Sequence, residues 1–169
     1  MQAKSATALR LGVVSDTHGH MGNTLAAVRM LESLEVDVVL HCGDIGSPAI
    51  VPLFTKWPTH FVFGNVDFPE APLTAAIQCE GLTGHGRFAE LELAGQRIAM
   101  LHGDDNAKLV AAIAGQQFDL VCHGHTHQVR QERRGRTLVL NPGALYRASA
   151  HTLAIVELPA MTATIVTVG

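Results

Sequence analysis

Cysteine is scarce in this chain. Cys42, Cys79 and Cys122 are odd in number and form no C-x-x-C pair. That argues against a disulfide framework and for the reduced thiols of a cytoplasmic protein. Cys42 and Cys122 lie inside apolar runs, where cysteine serves as a small packing residue. Long apolar stretches are also missing, so no membrane partner is expected. The opening MQAKSATALR has no apolar h-region or small-residue cleavage site, and nothing in it directs export. Charge is sparse too: 16% of residues are charged and the net charge is −3. A protein that holds long nucleic acid needs a basic face. The one dense basic stretch, RQERRGR at 130–136, contains Gly135 and reads as a solvated hairpin tip. Repeats, low-complexity segments and linkers are absent as well.

What remains is a chain of 169 residues, 47% of them hydrophobic, long enough to bury a substantial core. Residues 1–8 read as a loose tail and 9–169 as a single domain. Buried strands are expected at 9–15, 36–42 and 59–64, separated by an amphipathic helix over 22–34 and a short helix at 47–54. In the second helix Ser47 is the cap and Pro48 the first helical position. Strand, helix, strand, helix, strand is the order of a parallel sheet with right-handed crossovers. The second half changes character. Residues 88–103 read as two strands around a turn, followed by a helix over 104–115 and a strand at 118–124. Four further stretches (QVRQER, TLVLN, HTLAIVEL and MTATIVTV) look mainly antiparallel. The fold class expected is α/β (α+β): a β-sandwich of two sheets flanked by helices.

Ligands of open α/β sheets bind beyond the carboxyl ends of the strands. Here those ends read SDTHGH, HCGDIG, FGNVD, MLHGDD and GHTH. Each stops at a group able to ligate metal: Asp16 and His18, Asp44, Asn65, His102, then His125 and His127. Singly, each has an ordinary explanation. An aspartate at a strand end is a common cap, and Asn beside Gly is a common turn. Taken as structural accidents, five coincidences on one sheet edge are needed. As a metal site, one cause suffices.

The set comprises two carboxylates, one amide oxygen and four imidazoles. Oxygen and imidazole without thiolate suit manganese, iron, zinc, cobalt or nickel. Seven donors exceed the needs of one tetrahedral ion and suit two, with one carboxylate bridging. Two divalent ions outweigh Asp16 and Asp44 by about two charges. Such a pocket attracts an anion and acidifies bound water, so in-line attack of hydroxide on a phosphoryl group follows.

The ordered set DTH, GD, GN-x-D, HG and GHTH resembles the calcineurin-like metallophosphoesterases, above all their small single-domain phosphodiesterase branch in bacteria and archaea. The resemblance runs from about Leu9 through NPG at 141–143 and into the final strands. It implies a two-sheet sandwich with outer helices. It also implies that Asp16, His18 and His127 hold one metal, that Asn65, His102 and His125 hold the other, and that Asp44 bridges them. On this reading Gly124 gives the backbone room to turn, and His123 packs rather than ligates. Asn65, Asn141 and Arg147 are candidate substrate contacts.

The sequence also departs from the family pattern. Many members carry histidine after the motif asparagine, to protonate the leaving group or bind phosphate. Here that position is Val66. His20, in the first loop, is the substitute candidate for the acid, while Asp67 is expected to orient a ligand histidine. Ala144 replaces the serine of the family's NPGS.

The expected function is thus hydrolysis of small phosphodiesters by a cytoplasmic enzyme with two divalent ions, manganese foremost. A phosphatase for small phosphomonoesters is the near alternative. A non-catalytic protein-interaction scaffold on the same fold is the distant one, and the seven intact ligand positions argue against it. An apolar strand edge leaves homo-oligomer formation open.

Overall fold

The computed structural model describes residues 7–169, so most of the expected N-terminal tail lies outside the described residues. The first strand, β1 (Leu9–Val14), is followed by α1 (Met21–Ser33), β2 (Val38–His41), a 3₁₀ helix (Pro48–Phe54), β3 (Thr59–Phe61), α2 (Ala71–Cys79) and β4 (Thr83–Gly84). The second half runs β5 (Phe88–Leu93), β6 (Gln96–Leu101), α3 (Asn106–Ala114), β7 (Leu120–Cys122), β8 (Arg130–Arg134), β9 (Thr137–Asn141), β10 (Thr152–Leu158) and β11 (Thr162–Thr167). The strands form two sheets, ordered β11-β10-β1-β2-β3-β4 and β5-β6-β7-β9-β8.

Side-chain alternation explains why both faces of each sheet are covered. Leu11 and Val13 of β1 and Leu40 of β2 point inward. They meet Ile98 and Met100 of β6, Leu120 of β7, and Leu138 and Leu140 of β9 in a shared core between the sheets. Val14 and Val39 point the other way, under Ala27, Val28 and Leu31 of α1 and Phe54 of the 3₁₀ helix. Beyond the second sheet, α3 sets Leu109 and Ala112 on Ala99, Leu101 and Val121. The result is helix, sheet, sheet, helix, as expected from the order of apolar runs.

Pairing adds two features to this order. The strand β9 runs parallel to β7, with Leu120 opposite Leu138. Strand β8 occupies the edge and pairs antiparallel with β9, so the chain has already reversed before β9 enters the sheet. The stretch between β3 and β5 contains α2, which buries Leu73 and Ile77 one turn apart. The last two strands are antiparallel as expected, β10 against β1 and β11 against β10.

Candidate metal centre

Parallel pairing of β1, β2 and β3 aligns their carboxyl ends, and parallel pairing of β6 and β7 does the same in the second sheet. The expected ligands follow those ends directly. Asp16, His18, Asp44 and Asn65 come from the first sheet; His102, His125 and His127 come from the second. One atom each from Asp16, His18, Asp44 and His127 falls within 4.8 Å of the other three. His102 Nε2 joins them, 3.2 Å from Asp44 Oδ2 and 3.9 Å from Asp16 Oδ1. On the exposed flank His125 Nδ1 lies 3.2 Å from Asn65 Oδ1. The His125 ring sits edge-on to His102, with centroids 5.2 Å apart. All seven expected residues thus lie in one neighbourhood.

The donor atoms converge, and His18 Nε2 lies 3.1 Å from His127 Nε2. Asp16 Oδ1 is 3.1 Å from His127 Nε2 and 3.7 Å from His18 Nε2. Yet Asp16 Oδ1 and His102 Nε2 are buried without an aligned hydrogen-bond partner. An orphaned buried polar atom costs about 1–3 kcal/mol, so two at one point mark a place built for something else. The outer nitrogens explain which lone pairs are free. His102 Nδ1 donates to the Cys42 carbonyl at 2.8 Å, and His127 Nδ1 donates to the Arg147 carbonyl at 3.0 Å. Each bond fixes the tautomer that turns an unprotonated Nε2 toward the centre. The donor set therefore fits divalent cations.

Electrostatics agree. Burial pushes the Asp16 carboxyl up, but His18, His102, the Ser15 hydroxyl and His127 outweigh it, and the net shift is downward. Asp44 behaves alike: burial raises it, while His102, the Val66 amide and His18 bring it below its ordinary value. Burial pushes His102 down, yet the two carboxylates carry it above the usual imidazole value.

The backbone carries a second mark. Among the described residues ten non-glycine residues have positive φ, and five of them are Asp16, His18, Asp44, His125 and His127, at 46–72°. Each such conformation costs of order 1–3 kcal/mol and persists only where the surroundings enforce it. The rest of the site supplies that enforcement. Asp67 is buried, and its carboxylate accepts backbone N–H groups from Gly64 at 2.8 Å, Gly46 at 2.9 Å and Ile45 at 3.2 Å. It therefore ties the Asp44 loop to the Asn65 loop and does not orient a ligand histidine as expected. Gly64 leaves the gap this requires, because a Cβ there would lie 2.1 Å from Asp44 Oδ1.

Asn141 is buried and plays the same part for the second sheet. Its amide donates to the Gly124 carbonyl at 2.9 Å and to Thr126 Oγ1 at 3.1 Å, and its oxygen accepts the Gly143 N–H at 2.9 Å. It stands behind the histidine loop rather than facing open space. Gly124 is small for close approach and not for turning: a Cβ would meet Ser15 Oγ at 2.0 Å and Asp16 Oδ2 at 2.5 Å. The turning is done by His125 and His127 themselves.

The remaining candidates divide. His20 caps α1, its Nδ1 accepting the Asn23 N–H at 3.2 Å, and it stacks on Tyr146 at 4.8 Å. Arg147 lays its guanidinium over Tyr146 at 5.6 Å; its carbonyl, not its charge, touches the site. His123 is buried among packed groups, and burial first, then Arg130 and His102, push it down to about 4. Ala144 is fully buried. Arg87 donates to the Gly64 carbonyl at 3.1 Å and pairs with Asp104. Ser15, whose hydroxyl bonds Asp16 Oδ2 at 2.5 Å, and His41 were missed in the sequence. His41 accepts the Gly43 N–H and bonds Thr17 Oγ1 at 3.1 Å, bracing two ligand loops.

A two-sheet sandwich with an oxygen and imidazole cluster across one rim defines a metallohydrolase class. Residues 9–161 match the calcineurin-like phosphoesterase superfamily domain. The chain belongs to that superfamily and is a hydrolase of the phosphoesterase type. It is 29% identical over 140 residues to a phosphodiesterase of Methanocaldococcus jannaschii, covering 80% of this chain and 83% of that one. It is 30% identical over 140 residues to a probable metallophosphoesterase of Bacillus subtilis, covering 79% and 73% respectively. Among solved structures, an archaeal phosphodiesterase superposes with a TM-score of 0.87 at 26% identity, over 94% of this chain and 99% of that one.

Proposed function

We propose that the domain at 9–169 hydrolyses small phosphodiesters with two divalent ions, manganese foremost, held at this rim. Asp16, His18 and His127 would hold one ion, Asn65, His102 and His125 the other, and Asp44 both. When bound, such ions supply Lewis acidity and a water acidic enough to attack phosphorus near neutral pH. The protein's own residues do the rest. Asp67 and Asn141 hold the two ligand loops in register, and the carbonyls of Cys42 and Arg147 keep His102 and His127 in the ligating tautomer. The observation that carries the reading is the pair of unpartnered buried atoms, Asp16 Oδ1 and His102 Nε2, facing one another across the two sheets.

A diester is favoured over a monoester by the likeness to archaeal phosphodiesterases. It is favoured too by Val66, which puts no cation beside Asn65 for a second phosphate charge. The unpaired thiols suit the cytoplasm. Among the described residues no helix is long and apolar enough to cross a membrane. The test is turnover of bis(p-nitrophenyl) phosphate against p-nitrophenyl phosphate by protein loaded with manganese. Preference for the diester supports the proposal. Preference for the monoester moves the substrate class, and silence on both from protein holding two ions removes the catalytic reading.

A further inference from the structure

A cavity of about 170 Å³ opens beside the proposed centre, between the Asp44 loop and the start of α2. Gly46, Pro48, Val66, Phe68, Pro72 and Leu73 line it. It is continuous with the ligand loops, since the Val66 N–H donates to Asp44 Oδ1 at 3.1 Å and Asp67 at its edge binds the Gly46 amide. Its one ionisable lining group, Asp67, is fully engaged with backbone N–H groups. The cavity offers a ligand no free charge.

Its mouth is apolar in an unusual place. Phe68 is 85% exposed and Val66 44%. Scattered exposed apolar residues need no explanation, but these two flank a cavity whose lining residues Gly46 and Val66 lie within two positions of Asp44 and Asn65 along the chain. An apolar cavity of about 150 Å³ accommodates a benzene-sized molecule. The volume here therefore suits one flat ring.

We propose that this cavity is the subsite for one ester group of the substrate, and that the group is a single aromatic or heteroaromatic ring stacked on Phe68. The inference rests on the phosphodiesterase reading above and narrows it. Val66 thereby gains a positive role: where a histidine would put a polar ring, valine continues the apolar wall from the metal rim to Phe68.

Calorimetric titration of the manganese-loaded protein with phenyl phosphate and methyl phosphate tests this without turnover. Phenyl phosphate should bind about five- to tenfold more tightly, the worth of one aromatic contact. Phe68→Ala should bring the two ligands within about twofold by removing that contact, without weakening methyl phosphate. Phe68→Trp should keep the preference. Equal affinities in the parent protein, failure of both ligands to bind, or an undiminished preference in Phe68→Ala would overturn the subsite. A phenyl preference in a protein that cleaves no diester would uphold the subsite while the catalytic reading falls. Diester cleavage without any phenyl preference would do the reverse.

Discussion

Replacing Asp67 by asparagine separates a structural role from a chemical one. The carboxylate accepts three backbone N–H groups from two loops, at 2.8, 2.9 and 3.2 Å. Asparagine keeps one oxygen and turns an NH₂ toward donors that need an acceptor. At least one buried N–H is then orphaned, at about 1–3 kcal/mol, and a donor now faces another donor. A loss of about 2–4 kcal/mol is expected, or a fall in Tm of about 4–16 °C for a chain of this size. Differential scanning calorimetry measures it. Metal content should fall together with Tm, because Asp44 and Asn65 sit on the tethered loops. Asp67→Ala should be no milder. The reasoning fails if Asp67→Asn melts with the parent and keeps its metal. It also fails if only the pH profile of turnover moves, since that would make Asp67 a proton-transfer group.

Other expectations follow from the same geometry. Asp44→Asn should bind fewer than two manganese ions by elemental analysis, whereas Arg147→Ala should still bind two, because His127 uses only the carbonyl of that residue. Equal metal content in both variants would contradict the ligand assignment. Burial first, then the neighbouring His102, push His41 from 6.5 down to about 4 despite Asp16 and Asp44. A depressed imidazole value stabilises the fold above pH 6.5, and that stability is lost as the pH falls toward 4. By linkage the loss is about 2 kcal/mol at pH 5. In metal-free protein the stability gap between parent and His41→Gln, from urea unfolding, should therefore shrink by about that amount between pH 7 and pH 5. A gap independent of pH refutes it. Long double-stranded DNA should show no retardation at physiological salt, and tight, steeply salt-dependent binding would reverse the reading of the charge.

Much of this was legible because strand ends are legible. Each apolar run stops where a ligand begins, and parallel pairing then brings Asp16, Asp44 and His102 to one rim. The alternation within β1 and β2 likewise foretold a sandwich covered on both sides. Less could be read where the backbone is the partner. Nothing in GNVD announces that its aspartate binds three amides, and nothing in NPGA announces that its asparagine braces a loop behind the site. The helix α2 escaped notice because three alanines and a proline dilute its apolar stripe, leaving Leu73 and Ile77 to carry it. The direction of β9 depended on β8 taking the edge, a choice made by pairing across the sheet and not by local pattern.

The split origin of the proposed ligands has a mechanical meaning. Four residues ride on one sheet and three on the other, so ions seated between them would act as rivets through the sandwich. Chelation would then do more than silence chemistry. It would unfasten one end of the molecule, and the melting point of the whole domain would report how full the rim is.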